Sequence, residues 1–591
     1  MRRLVARVDR GLVGAVLLSL LAAVPLIDGR FFFKAHDAPH SVFYLVAFDQ
    51  AFRDGALWPR WSTDFVFGYG YPVFNVYAPL AYLVAEGFVL LGLGYVGAVK
   101  ATFLVATVAA AAGMYLLGRR LAGPAAGVVA SVVYTYLPYH LLDLYVRAAL
   151  AEYFAFVWMP LVLWALLGLE EHGAEPVVSW LHRWGRPLAL AGVALGGLLL
   201  THNATTLVFV PLLLLFCGWR LVEQVGRSRQ ALGGRLGRLA GRWAGAGVLG
   251  LGLAAIFWLP FAFEVRYLKT EQLTRDQFAY SRHFVEPVQL FSPFWGFGYS
   301  DVGLNDTMSF QLGLVALALG GFALAGSPLA IPASARRAAA FFALASGLLV
   351  ALMLPVAAPL WAVTPGASLL QFPWRLLSAV AVTLAVLAGL AVAGLEARFQ
   401  FQPLVAVRAV LPLALVAVVG SWPYLRVEPT PIRAADVSPL AIVEFELKSY
   451  TATTIWAEEL PTSSPMVAQY RRGEPPQKWR LADPQAGSVE QVHHAGNTEE
   501  ARVRVPNGGR LILQTFDYPG WRVRVDGRLV EHGREPPLGL IAIDLPPGDH
   551  VVTARFETTP PRLIGGVLSL LTAALIFLLL AGGLPRRPRA H

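Results

Sequence analysis

Charge is scarce in this chain: Asp, Glu, Lys and Arg make up 15% of its 591 residues, against about 25% in a soluble domain. The deficit goes with several apolar runs that reach or exceed the ~18–20 residues needed to cross a bilayer as helix. Cysteine is nearly absent. Cys217 is alone and lies inside an apolar run, so an internal disulfide and a cysteine metal cluster are both excluded. None of the expected membrane helices carries an acid or a base near its centre, where a charge costs at least ~2.5–3.5 kcal/mol and marks an ion or proton path. That removes the usual signature of proton-coupled transport. A P-loop and a usable Gly-x-Ser-x-Gly elbow are missing too, and the "GYGYP" at 68–72 lacks the strand–helix setting of a dinucleotide site.

What charge there is has a pattern. The net charge of +10 comes from arginines in short loops between apolar runs, which is a signal of membrane orientation and not of nucleic-acid binding. Arg2, Arg3, Arg7 and Arg10 precede a first helix at Gly11–Ile27. Clusters at Arg119–Arg120, Arg183–Arg186, Arg220–Arg242, Arg336–Arg337, Arg398–Arg408 and Arg586–Arg589 are placed on the same, cytoplasmic side. This puts both termini inside. The stretch 73–95, with Asn75, Pro79, Tyr82 and Glu86, is then expected not to cross. The expected fold is an α-helical polytopic inner-membrane protein of about 12 transmembrane helices. It divides into a membrane domain over 1–424 with a first outer loop at 28–98, an extracytoplasmic domain over 425–561, and a last helix with basic tail over 562–591. Within 425–561, alternating runs are broken by Pro-Gly, Asp-Gly and Pro-Gly-Asp turns, the pattern of an antiparallel β-sandwich.

The polar groups gather at the outer helix ends. Asp37 follows the first helix and precedes a helix expected at 38–54, whose Phe43, Val46 and Phe52 suit a segment lying on the membrane surface. Asp37 is a candidate general base, since an acceptor hydroxyl attacking an anomeric carbon needs a carboxylate within hydrogen-bond reach. The competing reading makes Asp37 an N-cap. His36 and His40 flank it and could join it in binding substrate or a divalent metal ion, although three ligands within one turn rarely complete a shell alone. Asp143 and Arg147 are spaced as a helix-end ion pair, with Glu152 a second acid. His202 and Asn203 form a polar turn between apolar runs, and Arg266 opens an aromatic-rich loop at 261–310. Arg375, after Pro373 and Trp374, can bind a phosphate bidentately or snorkel at the interface.

The segments "HDAPHSVFYLVAFDQAFRDGALWPRW", "GYGYPVFNVYAPLAYL", "VRAALAEYFA", "LTHNATTL", "FWLPFAFE", "LLQFPWRLL" and "TTIWAEELPT" resemble a family of bacterial multi-spanning proteins labelled 6-pyruvoyl-tetrahydropterin-synthase-related. The closing "DYPGWRVRVDGRLV…LPPGDHVV" resembles the outer domain of lipoteichoic-acid-glycosylating membrane proteins. Both groups are similar to the GT-C glycosyltransferases. The resemblance implies an inverting transferase that moves a sugar from a polyprenyl-phosphate donor to a glycan, lipid or protein acceptor outside the membrane. Asp37 is then the base, Arg375, Lys100 and Arg147 hold the departing phosphate, and His36, His40, Glu152, His202, Asn203 and Arg266 contact substrate. Two other expectations stand beside it: a flippase or assembly factor for lipid-linked envelope glycans, and a binding protein whose β domain is the active part.

Overall fold

The computed structural model describes residues 9–170, 180–227, 232–325, 331–394, 403–447 and 452–582. The expected placement of both termini rests on arginines outside these ranges, apart from Arg10. Helix α1 (Arg10–Leu20) continues as a 3-10 turn to Ile27 and is capped by Asp9, whose carboxylate accepts from the amides of Gly11 and Leu12. Helices α2 (Ala38–Arg53) and α3 (Leu80–Leu90) belong to the first loop, and α4 (Tyr95–Ala122), α5 (Pro124–Tyr136), α6 (Leu150–Gly168), α7 (Trp180–Thr201), α8 (Asn203–Arg227), α9 (Leu232–Leu253) and α10 (Ala255–Glu264) follow. Next come α11 (Leu314–Leu324), α12 (Ala333–Met353), α13 (Leu377–Leu390) and α14 (Pro403–Ser421), two short helices α15 (Pro439–Glu446) and α16 (Pro465–Arg472), and the last helix α17 (Pro560–Gly582).

Among the described residues nine helices are long and apolar enough to cross a membrane, or eleven if two bent pairs each count as one. The protein is a multi-pass membrane protein, and the nine to eleven candidates among the described residues agree with the expected fold of about 12 spans. Helix α11 is not one of them: its 11 residues extend only about 16 Å at 1.5 Å per residue, half of the ~30 Å hydrocarbon core. The same length limits α3, also 11 residues, so the stretch 73–95 holds no helix long enough to cross. Helix α13 is buried along its whole length, whereas α17 keeps a largely exposed, lipid-like surface.

The surface-lying helix expected at 38–54 is a different object in the structure. Helix α2 buries Val42, Phe43, Leu45, Val46, Ala47 and Phe48 on more than one face and packs on α3 and α4. Even its polar side is covered: Asp49 accepts from Arg53 Nε at 2.7 Å and from the Tyr95 hydroxyl at 2.7 Å. A helix covered by protein cannot use those apolar residues as a membrane anchor.

The C-terminal domain is an antiparallel sandwich. Strands β1 (Trp479–Leu481), β4 (Gly509–Phe516), β8 (Leu540–Leu545) and β7 (Gly533–Glu535) form one sheet in the order 1-4-8-7. Strands β2 (Ser488–His494), β3 (Thr498–Val505), β9 (Gly548–Phe556), β5 (Trp521–Val525) and β6 (Arg528–Val530) form the other in the order 2-3-9-5-6. Alternation decides which side chains face in: Ala501, Val503 and Val505 are buried while Arg502 and Arg504 are exposed. Asp526 and Gly527 sit at φ 51° and 79° between the paired Val525 and Arg528, the left-handed couple that a type I′ hairpin turn requires.

The sandwich is keyed to the first loop and to α10 and α17. Trp61 is buried against Trp521 and Phe556 at 5.4 and 5.2 Å between ring centroids. The Lys478 ammonium, fully buried, donates to the carbonyls of Thr63 and Gly68. Deeper in, Glu264 at the end of α10 accepts from Arg562 Nη2 at 2.8 Å and from Asn75 Nδ2 at 2.7 Å, and both partners of the ion pair are only 3% exposed. Asn75 in turn accepts from Arg60 at 3.0 Å. Replacing Arg562 by Met strands the Glu264 carboxylate, a loss of about 3–5 kcal/mol for a broken buried pair. A thermal-unfolding scan of the purified variant should show a much lower midpoint; an unchanged midpoint would mean that the pair does not hold domain and membrane helices together.

Candidate active site at the end of the helices

The polypeptide just after α1 is pinned to the connection between α5 and α6. Residues 143–147 form a single π-type turn that ends on Ala148 at φ 52°, in the left-handed region. Such turns inside helices concentrate at functional sites. Here the turn exposes carbonyls to the first loop: the amide of His36 donates to Val146 O at 3.1 Å, that of Asp37 to Arg147 O at 2.7 Å, and the Ser41 hydroxyl to Ala148 O at 2.8 Å. Asp37 and Arg147 are thereby fixed side by side by backbone contacts.

Asp37 occupies the N-cap position of α2, yet its side chain makes no capping hydrogen bond. The carboxylate faces a cluster instead. Arg147 Nη2 stands 3.5 Å from Asp37 Oδ2, and Nη1 reaches Glu152 Oε2 at 2.8 Å and pairs with Asp143 as well. Tyr139 donates its hydroxyl to Glu152 Oε1 at 2.6 Å, and Arg375 Nε lies 3.7 Å from Glu152 Oε2. Trp374 closes the cluster with its ring 4.9 Å from the Arg147 guanidinium. Asp37 and Arg375 are therefore joined through Arg147 and Glu152. Exposure separates the three acids: the side chains of Asp143 and Glu152 are 0% and 2% exposed, that of Asp37 39%. Of these carboxylates, Asp37 alone is open to a reactant.

Burial pulls the imidazoles of His36 and His40 below the ordinary histidine range, Asp37 opposing the shift only in part. His40 Nδ1 is 4.0 Å from Asp37 Oδ1, and the His36 ring stacks on Tyr299 at 4.2 Å. No group of three or more His, Cys, Asp or Glu side chains among the described residues is arranged to hold a metal ion. The donor set that would be needed around Asp37 does not fit one either, since the Arg147 guanidinium already supplies the neighbouring positive charge.

The other expected residues divide. His202 is buried, with Nδ1 2.8 Å from the Thr205 hydroxyl and its ring 6.0 Å from that of Tyr77. Burial lowers its pKa to about 4, with the Glu152 carboxylate the largest influence in the other direction. Asn203 Nδ2 donates to Val76 O at 2.9 Å, fixing the loop that carries Tyr77. Both residues support the site from the break between α7 and α8. Lys100 does not belong to it: the ammonium donates to the carbonyls of Asp28 and Arg30 and so ties down the exit from α1. Arg266 lies on the surface with its guanidinium over the Tyr267 ring at 5.1 Å, outside the cluster. Arg147, expected to face a phosphate, is 4% exposed and committed to three carboxylates. Arg375 differs: Nη1 donates to Leu370 O and Gln371 Oε1 at 2.8 and 3.0 Å, while Nε has no hydrogen-bond partner.

Tyr139, Tyr77 and Tyr299 were not among the expected residues. Tyr139 stands 13 residues before its partner Glu152, and Tyr299 comes from a distant loop, so no local spacing marks either.

No protein-family model matches the chain, and no curated protein matches it. The resemblance to the pterin-synthase-related label therefore has no support beyond the quoted segments. Among solved structures, the chain is similar to the arabinofuranosyltransferase AftD from Mycobacteria, with 12% identity and a TM-score of 0.42 over 94% of this chain and 57% of that one. It is also similar to the archaeal oligosaccharyltransferase AglB from Archaeoglobus fulgidus, solved with an inhibitory peptide and a dolichol-phosphate. There the identity is 13% and the TM-score 0.41, over 78% of this chain and 59% of that one. The chain spans less than two thirds of the length of either.

Proposed function

We propose that this protein is a membrane glycosyltransferase of the GT-C type, which moves a sugar from a polyprenyl-phosphate donor to an acceptor at the outer face of the cytoplasmic membrane. The observation that carries the reading is the Asp37 carboxylate: free of its cap, open to a reactant, and held against a guanidinium at the end of the helices. In the reaction, the acceptor oxygen bonds to the anomeric carbon as its proton passes to Asp37. The bond from that carbon to the phosphate oxygen breaks, its electron pair leaves with the phosphate, and displacement inverts the configuration.

Arg375 is the residue for the departing phosphate. Its side chain is 14% exposed, against 4% for Arg147, and its planar fork suits phosphate oxygens better than an ammonium does. Arg147 has a positioning role, since its donors are occupied by acids. Substituting Arg375→Gln should raise the KM for the lipid-linked donor and lower kcat together, by about tenfold or more, as expected for a contact of roughly 1.5–3 kcal/mol to a charged group. The assignment of the phosphate to this residue ends if donor KM and kcat both stay at the wild-type values.

The direct test is transfer by the purified protein in lipid vesicles, supplied with polyprenyl-phosphate sugar and envelope glycan, with Asp37→Asn as the comparison. Loss of transfer at unchanged expression supports the reading. Full transfer by the variant ends it. Movement of lipid across the vesicle that survives Asp37→Asn would instead favour a flippase.

A further inference from the structure

A cavity of about 220 Å³ opens beside Asp37, lined by Phe32, Lys34, Ala35, Tyr145, Phe297 and Glu428. It shares its wall with the site. Ala35 is two residues before Asp37, and Tyr145 lies on the same π-type turn as Arg147. The far wall is an extended segment of the 297–308 loop. Phe297 pairs with Met308 in a two-residue bridge, the amide of Gly298 donates to Thr307 O at 3.0 Å, and Tyr299 stacks on His36. Close approach of the two strands makes glycine necessary at 298, where a Cβ would meet the Thr307 side chain.

Size, walls and charge restrict the occupant. The volume exceeds by far what one water needs, about 10–15 Å³, and falls short of the ~300–1,000 Å³ of sites for drug-sized ligands. A group the size of a single ring fits. Three walls are aromatic, which suits the C–H faces of a ring. The rim carries one cation and one anion, Lys34 Nζ and Glu428 Oε2, 3.5 Å apart with side chains 73% and 51% exposed. A paired rim offers hydrogen-bond donors and an acceptor without net charge. It suits hydroxyl groups, and the carboxylate repels a phosphate. Arg375, the residue read for the phosphate, does not line this cavity.

We infer that this cavity is the subsite for an uncharged sugar ring of the acceptor, which would make the acceptor a glycan and set its attacking hydroxyl toward Asp37. The inference rests on the transferase reading and adds to it the class of acceptor. Phe297 is the stacking residue and Glu428 the hydroxyl acceptor.

The test is saturation-transfer NMR on the full chain in nanodiscs, with a panel of uncharged methyl glycosides as probes and inorganic phosphate as competitor. At least one glycoside should give a signal, and phosphate should not displace it. Phe297→Ala should weaken the binding about tenfold, in the range of a lost aromatic contact. Glu428→Gln, at an exposed position where folding is not at stake, should weaken it several-fold. The inference is overturned if no methyl glycoside binds, if phosphate competes, or if both Phe297→Ala and Glu428→Gln bind as the wild type does. Those outcomes are separate from failure of the transferase reading, which is read from transfer by Asp37→Asn and not from glycoside binding.

Discussion

Asp37→Asn is expected to lower the rate of sugar transfer by about 10²–10⁴-fold, the span that a positioned general base contributes, with donor binding and thermal stability near wild type. The stability half follows from the structure. The side chain makes no capping bond to α2, and its contact with Arg147 is the longest of the three acids that surround that guanidinium. An amide of the same shape removes the proton acceptor and little else. Asp37→Glu should fall between the two, because the backbone is clamped to Val146 and Arg147 and an extra methylene displaces the carboxylate along that clamp. Single-turnover measurements separate the steps: the defect should lie in the chemical step. A variant with normal kcat, or one that unfolds with the loss of Asp37, is incompatible with the assigned role.

How far the sequence reached depends on the range of the interaction concerned. Apolar run length shows most of the helices, and the Asp526–Gly527 turn with its alternating neighbours shows the sandwich, because both signals lie within one element. Helix α2 was misread for a related reason. Its Phe43 and Val46 look like a membrane-facing stripe until α3 and α4 are folded over them. The site was legible as a set of residues at one end of the helices: Asp37, Arg147, Glu152 and Arg375 do converge. Their division of labour was not. Arg147 and Lys100 are indistinguishable from Arg375 in the sequence, each a cation near a helix end. What separates them is which acids and carbonyls lie against them, through contacts that run from 4 residues of chain, for Arg147 with Asp143, to 110, for Arg147 with Asp37. Tyr299 and the cavity wall at Phe297 depend on a loop crossing to the first outer segment, for which spacing carries no signal.

Arg147→Met should damage the protein more deeply than any single change at the acids. Asp143, Glu152 and Asp37 face one another around a guanidinium that is 4% exposed, and Asp143 and Glu152 are sealed from solvent. Without the cation, two buried carboxylates and a third at the rim confront each other, and the expected loss is about 3–5 kcal/mol for a buried charge left without its partner. The Trp374 ring, 4.9 Å from the guanidinium, would keep a contact with the Met side chain, so lost packing is not the main term. Arg147→Lys preserves the charge but not the fork: one ammonium cannot repeat the spread of Nη1 to Glu152 and Asp143 with Nη2 toward Asp37. That variant should fold and bind donor yet transfer slowly, since Asp37 loses the group that orients it. The decisive comparison is the double variant Arg147→Met with Glu152→Gln. If repulsion among acids is the cause, removing one acid restores part of the unfolding midpoint lost in Arg147→Met. A midpoint no higher than that of Arg147→Met would place the guanidinium's contribution in packing and take away the electrostatic account of how Asp37 is held.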